Sequence, residues 1–279
     1  MKKSQSTSSV SIVIPVYNEE SYLDKCLQAI AKQTVAPLEV IVVDNNSSDR
    51  SSQVARQYPF VRFRNKGFNA AQGVIIARID ADSIVMPAWV ERLQVDFEDK
   101  HTQAVTGLGK TCTLPRLHVL HTTLWSRAYF WYVHSYFTAL TMWGANMALQ
   151  RTMWDKIKSD VCLEPHTVHE DQDLSLLIAG YGGKTIQDNQ LLITTNGQSY
   201  HYWPKFFTYI RMTRKTRAYH RRRGTLENPK AARLSFGTTF FGRIVYYFLT
   251  IPFVVVSLLL WPIDDLVLRY AKHPGHWLD

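Results

Sequence analysis

With 279 residues, 46% of them hydrophobic, the chain can bury a full core in one large domain with an appendage, which excludes global disorder. A formal net charge of +9 leaves nucleic acid, anionic lipid and phosphorylated substrates as partner classes until that charge is located along the chain. Three widely spaced cysteines, Cys26, Cys112 and Cys162, indicate neither a disulfide framework nor a zinc site and point to a reducing compartment.

Residues 1–9 form a polar tail that carries Lys2 and Lys3 but no apolar core, so it is not a signal peptide. Val10 to Pro15 predicts a buried strand that runs into a polar loop, Val16-Tyr17-Asn18-Glu19-Glu20. A helix follows from about Tyr22 to Gln33, with Leu23, Leu27 and Ile30 at helical spacing. Pro37 breaks the chain. Leu38 to Val43 is a second β run, ending at Asp44, and the turn Asn45-Asn46-Ser47-Ser48-Asp49 caps a helix through Val54. This alternation predicts parallel strands joined by helical crossovers.

The next strand, Val74 to Ile79, ends in Asp80-Ala81-Asp82. Residues two apart on a strand share a face, so both carboxylates can address one point at the strand's carboxyl end, where open α/β sheets place their ligands. Two hard oxygen donors without a cage suit Mg²⁺ or Mn²⁺, whose remaining positions go to water and phosphate. The same pair also reads as a strand that stops in a polar turn. The predicted rim would collect Tyr17 to Glu19, Asp44 and the Asp80/Asp82 pair, and three acidic strand ends together are harder to read as solvated turns than one.

Pro15-Val16-Tyr17-Asn18-Glu19, Val42-Val43-Asp44-Asn45-Asn46-Ser47-Ser48-Asp49, Arg64-Asn65-Lys66-Gly67 with Ala71 and Gly73, and Asp80-Ala81-Asp82 resemble, in order and spacing, the successive motifs of family 2 glycosyltransferases over about the first 85 residues. The resemblance implies the GT-A fold, a Rossmann-like α/β domain with a mixed, mainly parallel sheet flanked by helices. It also implies a nucleoside-diphosphate sugar donor and a divalent metal. It assigns Pro15, Tyr17, Asn18, Glu19, Asp44, Asn65, Gly67 and Asp80 to the donor nucleotide, and Asp82, with Asp80, to the metal. The segment between Tyr58 and Arg64 is shorter than the family's usual lead-in. An ordinary helix-start glycine is an equal reading of Gly67.

Pro87 and Trp89 open a helix to about Asp99, and Ala104 to Gly109 is a strand. From Leu114 to Met142 the chain turns aromatic, through Trp125, Tyr129, Phe130, Trp131, Tyr132, Tyr136 and Phe137. This stretch reads either as a membrane-facing or acceptor-binding helical insert or as a helix packed on the sheet. His118 and His121 read as packing or surface residues, with no third ligand nearby. Gly144-Ala145-Asn146-Met147-Ala148 resembles the family's acceptor-side loop, with a helix to follow, and assigns Gly144 and Asn146 there. In His169-Glu170-Asp171-Gln172-Asp173-Leu174 the resemblance places the catalytic base on Asp171, beside Glu170. A carboxylate there is also an ordinary helix cap, and a metal cluster of His166, His169, Glu170 and Asp171 is the weaker alternative. Leu174 to Gly180 completes that helix, Gly182-Gly183 ends it and Leu191 to Thr195 is a strand. His201 is a further candidate metal ligand by analogy with GT-A enzymes.

Between 205 and 223 stand eight Lys or Arg residues and no acid, with Arg214, Arg217 and Arg221 on one helical face. This helix suits donor or lipid phosphates or an anionic membrane surface; a solvated face and nucleic acid are the other readings. The stretch that follows favours the membrane-linked ones. Residues 224–239 make a linker. Ile244 to Ile263 holds no charged residue, and a helix of about 20 residues spans roughly 30 Å, the thickness of a bilayer core. Tyr246, Tyr247 and Trp261 lie near its ends, and Pro252 would kink it, so residues 240–263 predict a transmembrane or re-entrant helix. Cations concentrated before the span put the catalytic domain on the cytoplasmic side; residues 264–279 form a C-terminal tail. The Gln-x-x-Arg-Trp motif of the family's processive synthases is absent from the sequence, which disfavours a processive polymerase.

The expectation is thus a GT-A domain over 10–223, with a nucleotide-sugar half at 10–110 and an acceptor half at 111–223, anchored by a C-terminal membrane helix. It would be an inverting glycosyltransferase using Mg²⁺ or Mn²⁺ and a lipid-linked or glycan acceptor at the cell envelope, with no nucleic-acid partner. The alternatives are a polyprenyl-phosphate glycosyltransferase, a sugar nucleotidyltransferase, and a non-catalytic sugar- or lipid-binding membrane protein.

Overall fold

A computed structural model describes residues 9–64, 67–111, 139–164, 167–195 and 203–225, and the backbone alone for 110, 111, 203–207, 209 and 210. The strands are β1 (Val10–Val16), β2 (Glu39–Asp44), β3 (Val61–Phe63), β4 (Ile75–Ile79), β5 (Ile84–Val85), β6 (Thr102–Thr111), β7 (Asn146–Gln150) and β8 (Lys184–Thr195). The helices are α1 (Glu20–Ala31), α2 (Ser51–Arg56), α3 (Gly67–Ala70), α4 (Trp89–Asp96), α5 (Arg151–Ile157), α6 (Glu170–Gly180) and α7 (Trp203–Arg222). All eight strands join one sheet in the order β3-β2-β1-β4-β7-β6-β8-β5.

The first half follows its hydrophobic pattern. β1, β2 and β4 are runs of β-branched residues because helices cover both faces of the sheet. Alternation divides them cleanly. Ile12, Ile14, Val40, Val42, Ile75, Ala77 and Ile79 face one core with Leu23, Cys26, Leu27 and Ile30 of α1. Val13, Ile41 and Ile76 face the other, with Met153, Trp154 and Ile157 of α5 and Leu174, Leu177 and Ile178 of α6. Each such side chain contributes about 1.5–3 kcal/mol on burial, so the sheet centre is where the fold is strongest. β1 pairs in parallel with β2, matching Val16 to Asp44, and with β4 on its other side. The ends of these strands therefore share one rim.

The second half departs from the expected rhythm. β7 is inserted antiparallel between β4 and β6, matching Asn146 to Ile79 and Ala148 to Ala77. Gly144 to Ala148 was expected as a loop leading into a helix; from Asn146 onward it is a central strand, and the helix, α5, starts only at Arg151. Because β7 runs against β4, its beginning reaches the rim where β4 ends. β8 is longer than the expected Leu191 to Thr195, starting at Lys184. Its first half is polar and partly exposed, so it carries no hydrophobic signal. α6 ends as its glycines predict: Gly182 takes φ +76° and the Gly183 N–H donates to the Ile178 carbonyl at 2.8 Å.

Among the described residues, no helix is long and apolar enough to cross a membrane. The expected span at 240–263, its linker from 226 onward and its tail, most of the aromatic stretch with His118 and His121, and Cys112, Asn65, His166 and His201 lie outside the described residues.

Candidate active site

The loops after β1 and β2 are laced together by short polar side chains. Asn18, held in the left-handed region at φ 54°, accepts the Ser48 N–H at 2.8 Å on its Oδ1, and its own N–H donates to Ser47 Oγ at 3.1 Å. Asn tolerates that backbone better than most residues. The Glu19 N–H donates to Ser51 Oγ at 2.9 Å and the Glu20 N–H to Asp49 Oδ2 at 3.0 Å. Asp44, at the tip of β2, accepts the Ser47 N–H at 2.9 Å and the Ser52 hydroxyl. Burial alone would raise its carboxyl; the hydrogen bonds from Ser52 and Ser47 outweigh that and hold it below the ordinary range. Tyr17 stands out from this rim with 62% of its surface exposed. Pro15 sits inside β1, opposite Val43 of β2, and not in the loop.

Gly67 is a packing residue. A Cβ there would lie 2.3 Å from Val13 Cγ1 and 3.0 Å from Val43 Cγ2, so only glycine lets α3 rest on the sheet. Of the two readings of Gly67, this packing accounts for the glycine without a ligand.

At the tip of β4, Asp80 leaves 43% of its side chain to solvent. Asp82 follows in a turn, half-buried. Cys26 lies beneath, its Sγ 3.9 Å from the Asp80 carbonyl. Burial pushes that thiol up, and the charges of Asp82 and then Asp80 push it further. Among the described residues no three His, Cys, Asp or Glu side chains converge as a closed metal cage. Two carboxylates at a strand tip are oxygen donors of the kind a hard cation takes while it keeps water and phosphate oxygens in its shell.

Arg78, which the sequence reading passed over, ties this tip to the second half of the site. Its Nη2 stands 3.5 Å from Asp80 Oδ1 and its Nη1 3.2 Å from Glu170 Oε2. Gly144 makes room for it, since a Cβ there would come within 3.2 Å of Nη1. The signal was present in the sequence. An arginine inside a run of Ile and Ala is a charge that needs partners. Desolvation raises the Asp80 carboxyl; Arg78 pulls it down, but the charges of Asp171 and Glu170 add to the rise, which prevails.

Glu170 and Asp171 open α6 and differ sharply. Glu170 exposes 80% of its side chain, and Asp171 only 9%. Asp171 accepts the Gly144 N–H on Oδ2 at 3.0 Å and the Gln172 N–H on Oδ1 at 2.8 Å, and His169 Nδ1 meets Oδ1 as well. Burial would raise this carboxyl; the charge and hydrogen bond of His169, then the Gly144 N–H and Arg78, lower it below the ordinary range. His169 answers in the opposite sense. Burial would lower it, and Asp171 outweighs burial and raises it.

Asn146 is fully buried, and its side chain is satisfied by the protein. Its Oδ1 accepts the Trp89 indole N–H at 3.0 Å, and its Nδ2 donates to the carbonyls of Leu108 at 3.1 Å and Leu191 at 2.8 Å. It brackets β6, β7, β8 and α4, which corrects the expectation of an acceptor contact there. Gly144 serves the protein too, through Asp171 and Arg78. On α7, Arg214, Arg217 and Arg221 are exposed as expected, whereas the face turned to α6 carries Thr213, Thr216 and His220. The three arginines are therefore on an outer flank and are not gathered around the carboxylates.

Residues 11–150 match the model of Glycosyl transferase family 2. The glycosyltransferase AglE of Haloferax volcanii is 36% identical over 30% of this chain and 33% of its own length. The glycosyltransferase GlyG of Streptococcus pneumoniae is 29% identical over 35% and 38%, respectively. The chain thus covers about a third of the length of the curated relatives it matches. Among solved structures, the mannosyltransferase PcManGT of Pyrobaculum calidifontis, in complex with GDP-Man and Mn²⁺, aligns over 96% of this chain and 87% of its own with a TM-score of 0.53 at 18% identity. TarS 1–349 of S. aureus aligns over 75% and 65% with a TM-score of 0.51 at 15% identity. These likenesses concern the fold, a mixed sheet flanked by helices as in GT-A glycosyltransferases. With the family model matched over half its length, and with the acidic strand tips of β2 and β4 on one rim, this chain belongs to glycosyl transferase family 2.

Proposed function

We propose that this protein is an inverting glycosyltransferase that moves a sugar from a nucleoside-diphosphate donor to an acceptor held at a membrane surface. One observation carries the reading: Arg78 joins the acidic tip of β4 to the carboxylate pair that opens α6. In this reading the tip of β4 faces the donor and the pair on α6 supplies the acid–base chemistry.

The rim around Asp44, with Tyr17 exposed beside it, suits a nucleoside: a fixed carboxylate accepts sugar or base donors and an aromatic ring stacks. Asp82 and Asp80 would hold a divalent cation. When bound, such an ion offsets charge on the departing nucleoside diphosphate. Asp171 stays ionised, and three donors occupy part of its acceptor capacity, leaving room to accept a further proton donor such as an acceptor hydroxyl. His169 holds its orientation. Similar structures of TarS 1–349 and PcManGT are complexes with UDP-GlcNAc and with GDP-Man, which makes these two sugar nucleotides the first donors to test.

The exposed cations of α7 and the apolar stretch from 244 to 263 support a membrane-proximal, lipid-linked acceptor with the catalytic domain on the cytoplasmic side. A donor screen in detergent with Mn²⁺, following nucleoside diphosphate release, tests the function. Release from one nucleotide sugar supports it, and release from none overturns it. Asp171→Asn is expected to lower kcat by about a hundredfold or more with donor affinity retained. Full activity in that variant removes Asp171 from the mechanism and favours a polyprenyl phosphate acceptor, which is already an anion and requires no base. The exposure of Glu170 favours one second reading, in which it is the base; Glu170→Gln is then the more damaging change.

A further inference from the structure

We propose that Thr216, on the basic helix α7, is a positioning residue for the Glu170–Asp171 pair, acting through His169. This rests on the reading of that pair as catalytic. The backbone N–H of His169 donates to Thr216 Oγ1 at 2.8 Å, and the same hydroxyl donates to the Met212 carbonyl at 2.9 Å. Acceptor on one side and donor on the other, the hydroxyl has a fixed direction. Thr216 is fully buried, so no water substitutes for it. His169 is the residue before α6, and its ring meets Asp171. Any shift of its backbone is passed to the carboxylate one residue past Glu170.

Two further contacts set the register of the helices. Gln172 Nε2 donates to Thr213 Oγ1 at 3.0 Å. His220 Nε2 lies 2.8 Å from Asp173 Oδ1, both side chains buried, and Asp173 Oδ2 accepts the Cys162 N–H at 3.0 Å. Thr213, Thr216 and His220 fall on one face of α7. Apolar side chains there would join two helices at least as firmly, because buried polar groups lose hydration that their partners only match. What a polar seam adds is a single alignment. Here the aligned element is the first turn of α6, which carries the carboxylates.

The test uses the full chain with Mn²⁺ and with UDP-GlcNAc and GDP-Man as donor probes. Thr216→Val keeps the side chain's size and removes the hydroxyl; Thr216→Ser keeps the hydroxyl. In Thr216→Val, kcat for nucleoside diphosphate release is expected to fall about tenfold to a hundredfold, with KM for the donor within about twofold of wild type, and Thr216→Ser restores kcat. The ¹⁵N signals of the His169 ring, assigned with His169→Gln, give a readout that needs no turnover. They are expected to move in Thr216→Val and to stay in Thr216→Ser. Unmoved ring signals, or a kcat that stays at the wild-type level while only the melting temperature drops, overturns the proposal. Should wild type release nothing from either probe, the failure belongs to the glycosyltransferase reading for these donors, and the ring signals still decide the positioning. If Thr216→Val does not fold, Thr216→Ala takes its place with the same outcomes.

Discussion

The two halves of the site are built in different ways. The rim at the ends of β1 and β2 is local: loops after two adjacent parallel strands hold one another through Asn18, Ser47, Ser48, Asp49 and Ser51, mostly by side chain to backbone N–H bonds. The carboxylate half is assembled from distant pieces: Arg78 from β4, Gly144 from the turn before β7, Asp171 from α6 and Thr216 from α7. A local rim can change without disturbing the core beneath it, while an assembled site depends on every element that delivers a part of it.

That contrast can be broken or sharpened experimentally. Asp82→Ala, at the tip where the halves meet, is expected to lower metal-dependent nucleoside diphosphate release by about 10²–10³-fold, an electrostatic effect. Its melting temperature should hold, because the half-buried residue lies in a turn outside the packed sheet. A large stability loss there would erase the distinction. Asn146→Leu removes one acceptor and two donor bonds inside the assembled half and leaves the Trp89 indole and two carbonyls buried without partners. It is expected to cost about 3 kcal/mol or more in urea unfolding. Gly67→Ala presses a methyl into Val13 under the rim and is expected to cost about 1–3 kcal/mol while leaving the Asn18 lacing intact.

The smallest effect is a pH dependence far from the chemistry. Asp96 on α4 is pushed up to about 7, by burial first and then by the Asp188 charge, with Arg92 opposing. A carboxyl raised from 3.8 in this way favours folding while protonated. Its contribution is complete below about pH 4 and is lost as pH rises through about 7. Asp96→Asn, an amide that stays neutral, should flatten that slope, so that its advantage over wild type grows between about pH 4 and pH 8. Thermal melts across that range would show it; parallel curves would remove Asp96 as the cause.

How much could be read in advance follows the same division. β1, β2 and β4 announce themselves because burial on both faces demands β-branched runs, and the acids at their ends then mark the rim without further help. β7 reads as a loop, since Gly144 and Ala145 precede it and an Asn stands first in the strand; only the fold shows that this Asn has three buried partners. The polar opening of β8 at Lys184 has no apolar alternation to detect. Asp44, Asp80 and Asp82 lie where a strand ends, which sequence spacing reveals. Arg78 and Thr216 matter through groups 92 and 47 residues away in the chain, and no local pattern records such pairings.

The antiparallel course of β7 has a consequence for the start of α6. β6 and β7 run in opposite directions, so the chain leaves the sheet at Thr111 and returns at Ala139 on the side where Gly144 meets Asp171. The return is anchored in the core, where Ala139 and Met142 are buried and the Met142 N–H donates to Ser175 Oγ at 2.8 Å. Sequence changes that shift this return would reach Asp171 through the Gly144 N–H, so the path of the chain here is coupled to the charge at the start of α6.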